Sequence, residues 1–534
     1  MFGFYNTYSA PVAQMDRAPV SGTGCHRFES CQARHSISQS NFRAWLRRNY
    51  ESSYEAEPIL YFVYWRLSMD ILIVVCYLIA VLAIGLWQGK KVKDLRTYAV
   101  SGRNYTSFII FATLSASFIG GGFSMGNAEK VFRFGILNIA ALWGFSMQQF
   151  LVAKFIAPRM ERYNHAISVG DIMACHYGKI GQVFTGVFTF IFCAGILGAQ
   201  VGATGNIFNI LLGIPKEWGI FIGIGIVIIY NTVGGMAGVV ATDVLQFVIL
   251  SIGLPLTLVL GVLHAGGISN MVGLLPAGHL SIPGNYFTWL LFLSLFLTFL
   301  LGETLSPPYV QRLFLGKSIK HTVRGNMASS IFSIPFFVVT GAIGLVALSI
   351  NPSIDPNLAM PYVIKEILPI GLRGLVIASV IAIVMSSADS FLNAASVSSI
   401  NDVLRPLNLL PKDKRRDLLI AQFMNVLLGI LSIVFALSIQ SVIDILIYSY
   451  NFWAPVILVP LVSAIMGVRV SVRHFIAGTF GGVLGVLIWK VLLKNPYGVD
   501  GLIIGVLGNL VFFYFMVLFF PNKTAVNVDQ NLTK

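Results

Sequence analysis

The chain has 534 residues, of which 56% are hydrophobic and only 11% charged, against about 25% charged in soluble domains. That balance excludes a string of soluble domains and reads as one membrane domain, because the apolar residues fall in runs of about 20, enough to cross ~30 Å of hydrocarbon. The net charge of +14 does not point to nucleic acid, since the basic residues sit in short loops between apolar runs, where they set orientation in a bilayer.

The chain opens on a polar stretch, residues 1–68, without sustained periodicity and without the charge, apolar run and small-residue site of a signal peptide. Its segment Pro11 to His35 (PVAQMDRAPVSGTGCHRFESCQARH) resembles the peptide produced when a transfer-RNA gene is translated by mistake. Met69 directly precedes the first apolar run, so translation is expected to start there and residues 1–68 to be a mis-annotated or disordered extension. The membrane domain is then 69–522 and the tail 523–534. Five cysteines give no disulfide framework: Cys76 and Cys193 fall in apolar runs and Cys175 in a basic loop.

From there the sequence predicts an all-α integral membrane protein with about 13 spans: 70–88, 106–126, 134–157, 182–212, 217–234, 238–264, 285–306, 327–350, 370–399, 418–438, 442–466, 474–493 and 500–520. The loops after spans one, three, seven, nine and eleven are basic. Examples are Lys90, Lys91, Lys93 and Arg96 after the first, and Lys412, Lys414, Arg415 and Arg416 after the ninth. The loop Gly266 to Gly284 carries no Lys or Arg. The basic loops are therefore expected on the cytoplasmic side, with the N-terminus outside, the C-terminus inside and the protein in the cell membrane.

Two spans look interrupted. The second reads LSASFIGGGFSMG, with Gly120, Gly121 and Gly122 in succession; the seventh reads FLLGETLSPPYVQR, with Gly302, Pro307 and Pro308. Glycine and proline loosen or remove the helical ladder. Freed backbone at membrane depth survives only inside protein or beside water. One such interruption is an ordinary kink. Two interruptions five spans apart predict an inverted repeat with a binding site between its halves, about 106–264 and 285–466.

Span nine contains AIVMSSADSFLNAAS, from Ala382 to Ser396. Ile383, Ser386, Ser387 and Ser390 share one helical face and offer hydroxyl oxygens to a hard cation such as sodium. A single membrane serine ordinarily bonds back to its own helix; Ser386, Ser387, Asp389 and Ser390 together point to an ion site. A mid-membrane carboxylate costs ~2.5–3.5 kcal/mol on insertion scales, so Asp389 is expected to face an interior partner. Asp243 in span six and Glu303 in span seven raise the same question. The bland readings are a headgroup-level position for Asp243 and a helix-end contact for Glu303.

GGMAGVVATDVLQ (Gly234 to Gln246), SSADSFLNAAS (Ser386 to Ser396) and PPYVQRLF (Pro307 to Phe314) resemble the sodium:solute symporter family. The resemblance runs from about Met69 to span thirteen. It implies the leucine-transporter-type fold with a five-plus-five inverted repeat and two discontinuous helices. For the main sodium site it implies the carbonyls of Ala116, Ile119 and Ile383 with the hydroxyls of Ser386 and Ser387. A possible second ion maps to Asp243, Ser386, Asp389 and Ser390, with Asp389 standing where one such member has serine. SFIGGGFSMGNAEKVF (Ser117 to Phe132) is nearest to the high-affinity choline transporters, which cage a quaternary ammonium in aromatic rings. Phe118 and Phe145 match that cage, but two further positions fall on Cys193 and Ser306, which argues against choline. The solute site is expected at Phe118, Gly120, Gly121, Phe145, Glu303 and Ser306.

The expected function is sodium-coupled symport of a small organic solute by alternating access, with sodium as coupling ion and no other cofactor. Coupling to protons and channel-like conduction are the alternatives. A sensor's signalling domain would not fit in the expected short tail. No nucleophile–base set suggests an enzyme, and no phosphate loop suggests a nucleotide-driven pump.

Overall fold

The computed structural model describes residues 56–282, 288–410, 413–438, 449–451 and 453–521. The expected extension over 1–68, apart from a helical stretch from Ala56, and the tail over 523–534 lie outside the described residues, as do 442–448 and 452 of the eleventh expected span. The compact unit Trp65–Lys534 is helical. A lone bridge between Tyr105 and Gly316 is its only β pairing among the described residues.

The principal helices are α1 (Met69–Lys91), α2 (Ser107–Phe118), α3 (Met125–Phe134), α4 (Leu137–Leu151), α5 (Val169–Leu212), α6 (Lys216–His264), α7 (Trp289–Leu301), α8 (Pro307–Leu313), α9 (Ile319–Ile350), α10 (Leu372–Ser398), α11 (Lys414–Ser438), α12 (Val472–Val486) and α13 (Gly501–Phe519). Among the described residues nine helices are long and apolar enough to cross a membrane, and Ser107–Phe118 and Trp289–Leu301 are shorter apolar pieces. The nine do not map one to one onto the expected spans. Helix α6 alone has 49 residues, ~73 Å at 1.5 Å per residue, more than twice a ~30 Å core. It turns at Gly235, where φ is +48° and an added Cβ would lie 2.6 Å from the Tyr98 ring. Spans 217–234 and 238–264 lie on either side of that turn. Helix α5 begins earlier than expected and changes direction at Gly178, with φ +64°. Cys175 is consequently buried in a helix, not placed in a loop.

Both expected interruptions are present. Helix α2 stops at Phe118 and α3 starts at Met125; α7 stops at Leu301 and α8 starts at Pro307. Their chemistry differs. None of Gly120, Gly121 and Gly122 has a positive φ, whereas the second break holds Leu305 at φ +54°, a left-handed conformation in a side chain only 1% exposed.

Helix α10 is the centre. In its span Leu372–Leu404, 94% of the most apolar stretch is buried, against 22–67% in the other eight. It packs on α5 and α6, while α9 packs on α2, α3 and α4. Small residues permit these approaches: a Cβ on Gly344 of α9 would lie 2.2 Å from the Ala128 carbonyl, and one on Gly253 of α6 would lie 2.2 Å from the Ser379 hydroxyl.

Candidate functional site

The first break is an ordered piece of backbone. Ile119 has φ −75° and ψ 72°, the geometry of an inverse γ-turn, and Gly120 N–H donates to the Phe118 carbonyl at 2.8 Å. That N–H is thereby turned away from Ala116, its partner in a continued helix. Gly121 N–H likewise leaves Ser117 and reaches Gln200 Oε1 at 3.4 Å. The Ser117 carbonyl instead accepts the Ser387 hydroxyl of α10 at 3.0 Å. Ala116, Ile119 and Ile383 are fully buried, with Ser386 and Ser387 at most 1% exposed. The break thus brings the Ser387 hydroxyl of α10 against a carbonyl released at the end of α2, while the neighbouring Ser386 hydroxyl turns to Asp243.

One turn deeper lies a charged knot. Ser386 donates to Asp243 Oδ1 at 2.5 Å. Arg312 of α8, fully buried, donates from Nη2 to Asp243 Oδ2 at 2.9 Å and to Ser390 at 2.7 Å. Thr113 also donates to Asp243, and Arg312 to the Ser117 hydroxyl. Asp389 turns elsewhere: its Oδ2 accepts the Tyr230 hydroxyl at 2.5 Å, its Oδ1 accepts Ser390 at 3.0 Å, and its carbonyl accepts Asn231 at 2.7 Å. Asp243, Ser386, Asp389 and Ser390 are therefore brought together, with Asp243 fully buried and paired to Arg312.

A cavity of about 510 Å³ opens beside the break. Phe118, Gly120 and Glu303 line it, as does Ser387. Glu303 is 5% exposed and accepts the hydroxyls of Tyr309 and Tyr450, each at 2.5 Å. It is a wall group of the cavity, more than a helix-end contact. Three expected solute residues are not on the wall. Phe145 stands behind Phe118, ring centroids 4.9 Å apart, and contacts Phe123 and Phe337. Gly121 faces Ala203 and Gln200. Ser306 directly precedes α8 and is buried, its hydroxyl without a partner.

Sequence reasoning missed Arg312, Gln200, Phe123, Tyr309 and Tyr450. Arg312 was visible in PPYVQRLF but lies past the expected end of its span, among residues read as loop charge. Tyr450 is 147 positions from Glu303, and no periodicity links them.

The sodium:solute symporter family model matches residues 98–482. The high-affinity choline transporter 1 of Caenorhabditis elegans is 24% identical over 467 residues, covering 79% of this chain and 77% of that protein. The osmoregulated proline transporter of Bacillus subtilis is 22% identical, covering 79% and 89%. Sodium/glucose cotransporter 1 of Ovis aries is 25% identical, covering 70% and 64%. In structure, a sodium-coupled sialic acid symporter in a substrate-bound outward-open state superposes with a TM-score of 0.75 at 21% identity, over 86% of this chain and 99% of that one. A nucleobase-cation-symport-1 family transporter gives 0.54 at 14% identity, over 83% and 99%. These neighbours have the leucine-transporter-type fold. The likeness over most of the chain, with two broken helices meeting a central serine-bearing helix, places the protein among membrane transporters: it belongs to the sodium:solute symporter family.

Proposed function

We propose that sodium entry drives uptake of a small organic solute through this protein by alternating access. One observation carries the reading: Ser387 bonds the backbone freed at the first break and also lines the cavity. An ion held by Ser386, Ser387 and the carbonyls of Ala116, Ile119 and Ile383 would fasten α10 to the end of α2. The same fastening fixes Phe118 and Gly120, which line the cavity next to it. Ion and solute would then favour one conformation, and each would raise the other's affinity by an equal factor.

The reading includes about thirteen crossings and two inverted repeats. The alternating loop charges support an outside N-terminus. On that topology the cavity rim at Lys130, Asn495 and Asp500 faces outwards. A thermal-shift screen of purified protein against candidate solutes tests the coupling. A true solute stabilises the protein more with sodium than with potassium. Equal stabilisation by every solute in both salts would defeat the reading.

A further inference from the structure

The place expected to attract a second ion already contains a cation of the chain's own. Arg312 is fully buried, and its guanidinium stands where Asp243, Thr113, Ser117 and Ser390 converge. Nε donates to Thr113 at 3.0 Å and Nη1 to the Pro308 carbonyl at 3.1 Å, leaving Nη2 for Asp243 and the two serines. A guanidinium remains charged at any pH the protein meets and presents its donors in a fixed fork.

We propose that Arg312 acts as a tethered cation at Asp243, so that the wild-type protein binds one sodium ion and no second. The inference rests on the reading of Ser386 and Ser387 as the sodium site. A mobile sodium at Asp243 would have to displace a covalently attached charge or settle beside it, and like charges repel strongly where the dielectric is low. The oxygen set itself suits sodium: one carboxylate with the hydroxyls of Thr113, Ser117, Ser386 and Ser390 is a hard-ligand shell. What closes it is the donor fork. Asp389 is directed away from this fork, its two oxygens accepting the hydroxyls of Tyr230 and Ser390. Arg312 is a positioning residue on this view. It comes from α8, past the second break, and it joins that element to α2, α6 and α10 without being part of the exchange with solution.

The test is equilibrium binding of radioactive sodium, with sodium alone as the probe, to the purified full-length protein. Wild type should saturate at one ion per chain, and Ser387→Ala should weaken that binding at least fivefold. Arg312→Gln should saturate at two. The double variant Arg312→Gln/Asp243→Asn, which removes both charges, should return to one. Two ions in the wild type overturn the inference, as does a count of one in folded Arg312→Gln or of two in the double variant. Should Arg312→Gln fail to fold, the wild-type count decides alone. No sodium bound by wild type would instead defeat the sodium site itself, and this inference with it. A purely structural role for Arg312 would lower stability without adding an ion.

Discussion

The Ser387 hydroxyl takes the place of a backbone N–H. It donates to the Ser117 carbonyl at 3.0 Å, while Gly121 N–H, the donor a continuous helix would supply, points to Gln200. Side chain and broken backbone therefore form one unit across α10 and α2.

Ser387→Ala removes one oxygen from that unit. A lost partner at a buried polar site costs ~1–3 kcal/mol, more with charge involved, or roughly 5- to 150-fold in affinity. The sodium concentration for half-maximal uptake should rise by that factor. Ser396, whose hydroxyl bonds the Asn393 carbonyl of its own helix at 2.9 Å, should tolerate alanine. Sodium titrations that cannot tell Ser387→Ala from Ser396→Ala exclude the site.

Neighbouring glycines should part company. A Cβ on Gly120 would lie 3.0 Å from Gln200 Nε2 and 3.2 Å from the Ser387 hydroxyl, whereas on Gly121 the nearest atom is 3.6 Å away. Neither has a positive φ, so alanine suits both backbones. Gly120→Ala should raise the half-saturating sodium concentration severalfold and Gly121→Ala should leave it within twofold. The reverse order would mean that Ser387 is not held at this distance when sodium binds.

Phe118 lines the cavity and Phe145 supports it from behind. Phe118→Ala should raise the half-saturating concentration of solute more than that of sodium. Phe145→Ala should act chiefly on stability, since emptying a buried phenylalanine site costs ~3–5 kcal/mol. Thermal melting and solute titrations on both variants separate the roles; a larger solute effect at Phe145 would put it in direct contact.

Gly235→Ala should abolish folded protein. The position combines φ +48° with a Cβ site 2.6 Å from Tyr98, so any side chain is strained and blocked together. Gly225, on the same helix with nothing within 4 Å of its Cβ site, should accept alanine. Size-exclusion profiles of detergent extracts compare them; a monodisperse Gly235→Ala peak would disprove the constraint.

Much of the architecture was legible because lipid imposes a simple rule: apolar runs are crossings, and glycine or proline within them marks released backbone. That rule located both breaks, and helical spacing placed Ser386 and Ser387 on one face. It failed where function depends on partners far apart in sequence. Arg312 reads as an ordinary loop charge until Asp243, on another helix, is seen to accept it. Phe118 and Phe145 look equivalent as aromatic residues, and only packing puts one in front of the other. The turn at Gly235 falls where one expected span ends and the next begins, whereas the direction change at Gly178 escaped notice because its surroundings read as a loop and not as part of a helix.

Leu305 gives the second break a mechanical character the first does not share. A left-handed leucine costs roughly 1–2 kcal/mol, and it persists only where its surroundings leave it no alternative. Here the neighbouring Thr304 carbonyl is held by Trp453 at 3.0 Å, and Glu303 is clamped by two tyrosines. The first break needs no such conformation, since none of its residues has a positive φ, whereas the second keeps its left-handed residue between two fixed contacts. A ligand that draws Tyr450 or Tyr309 from Glu303 would loosen the contacts that hold Leu305 in its costly conformation, so occupancy of the cavity would be felt in the backbone of the second break.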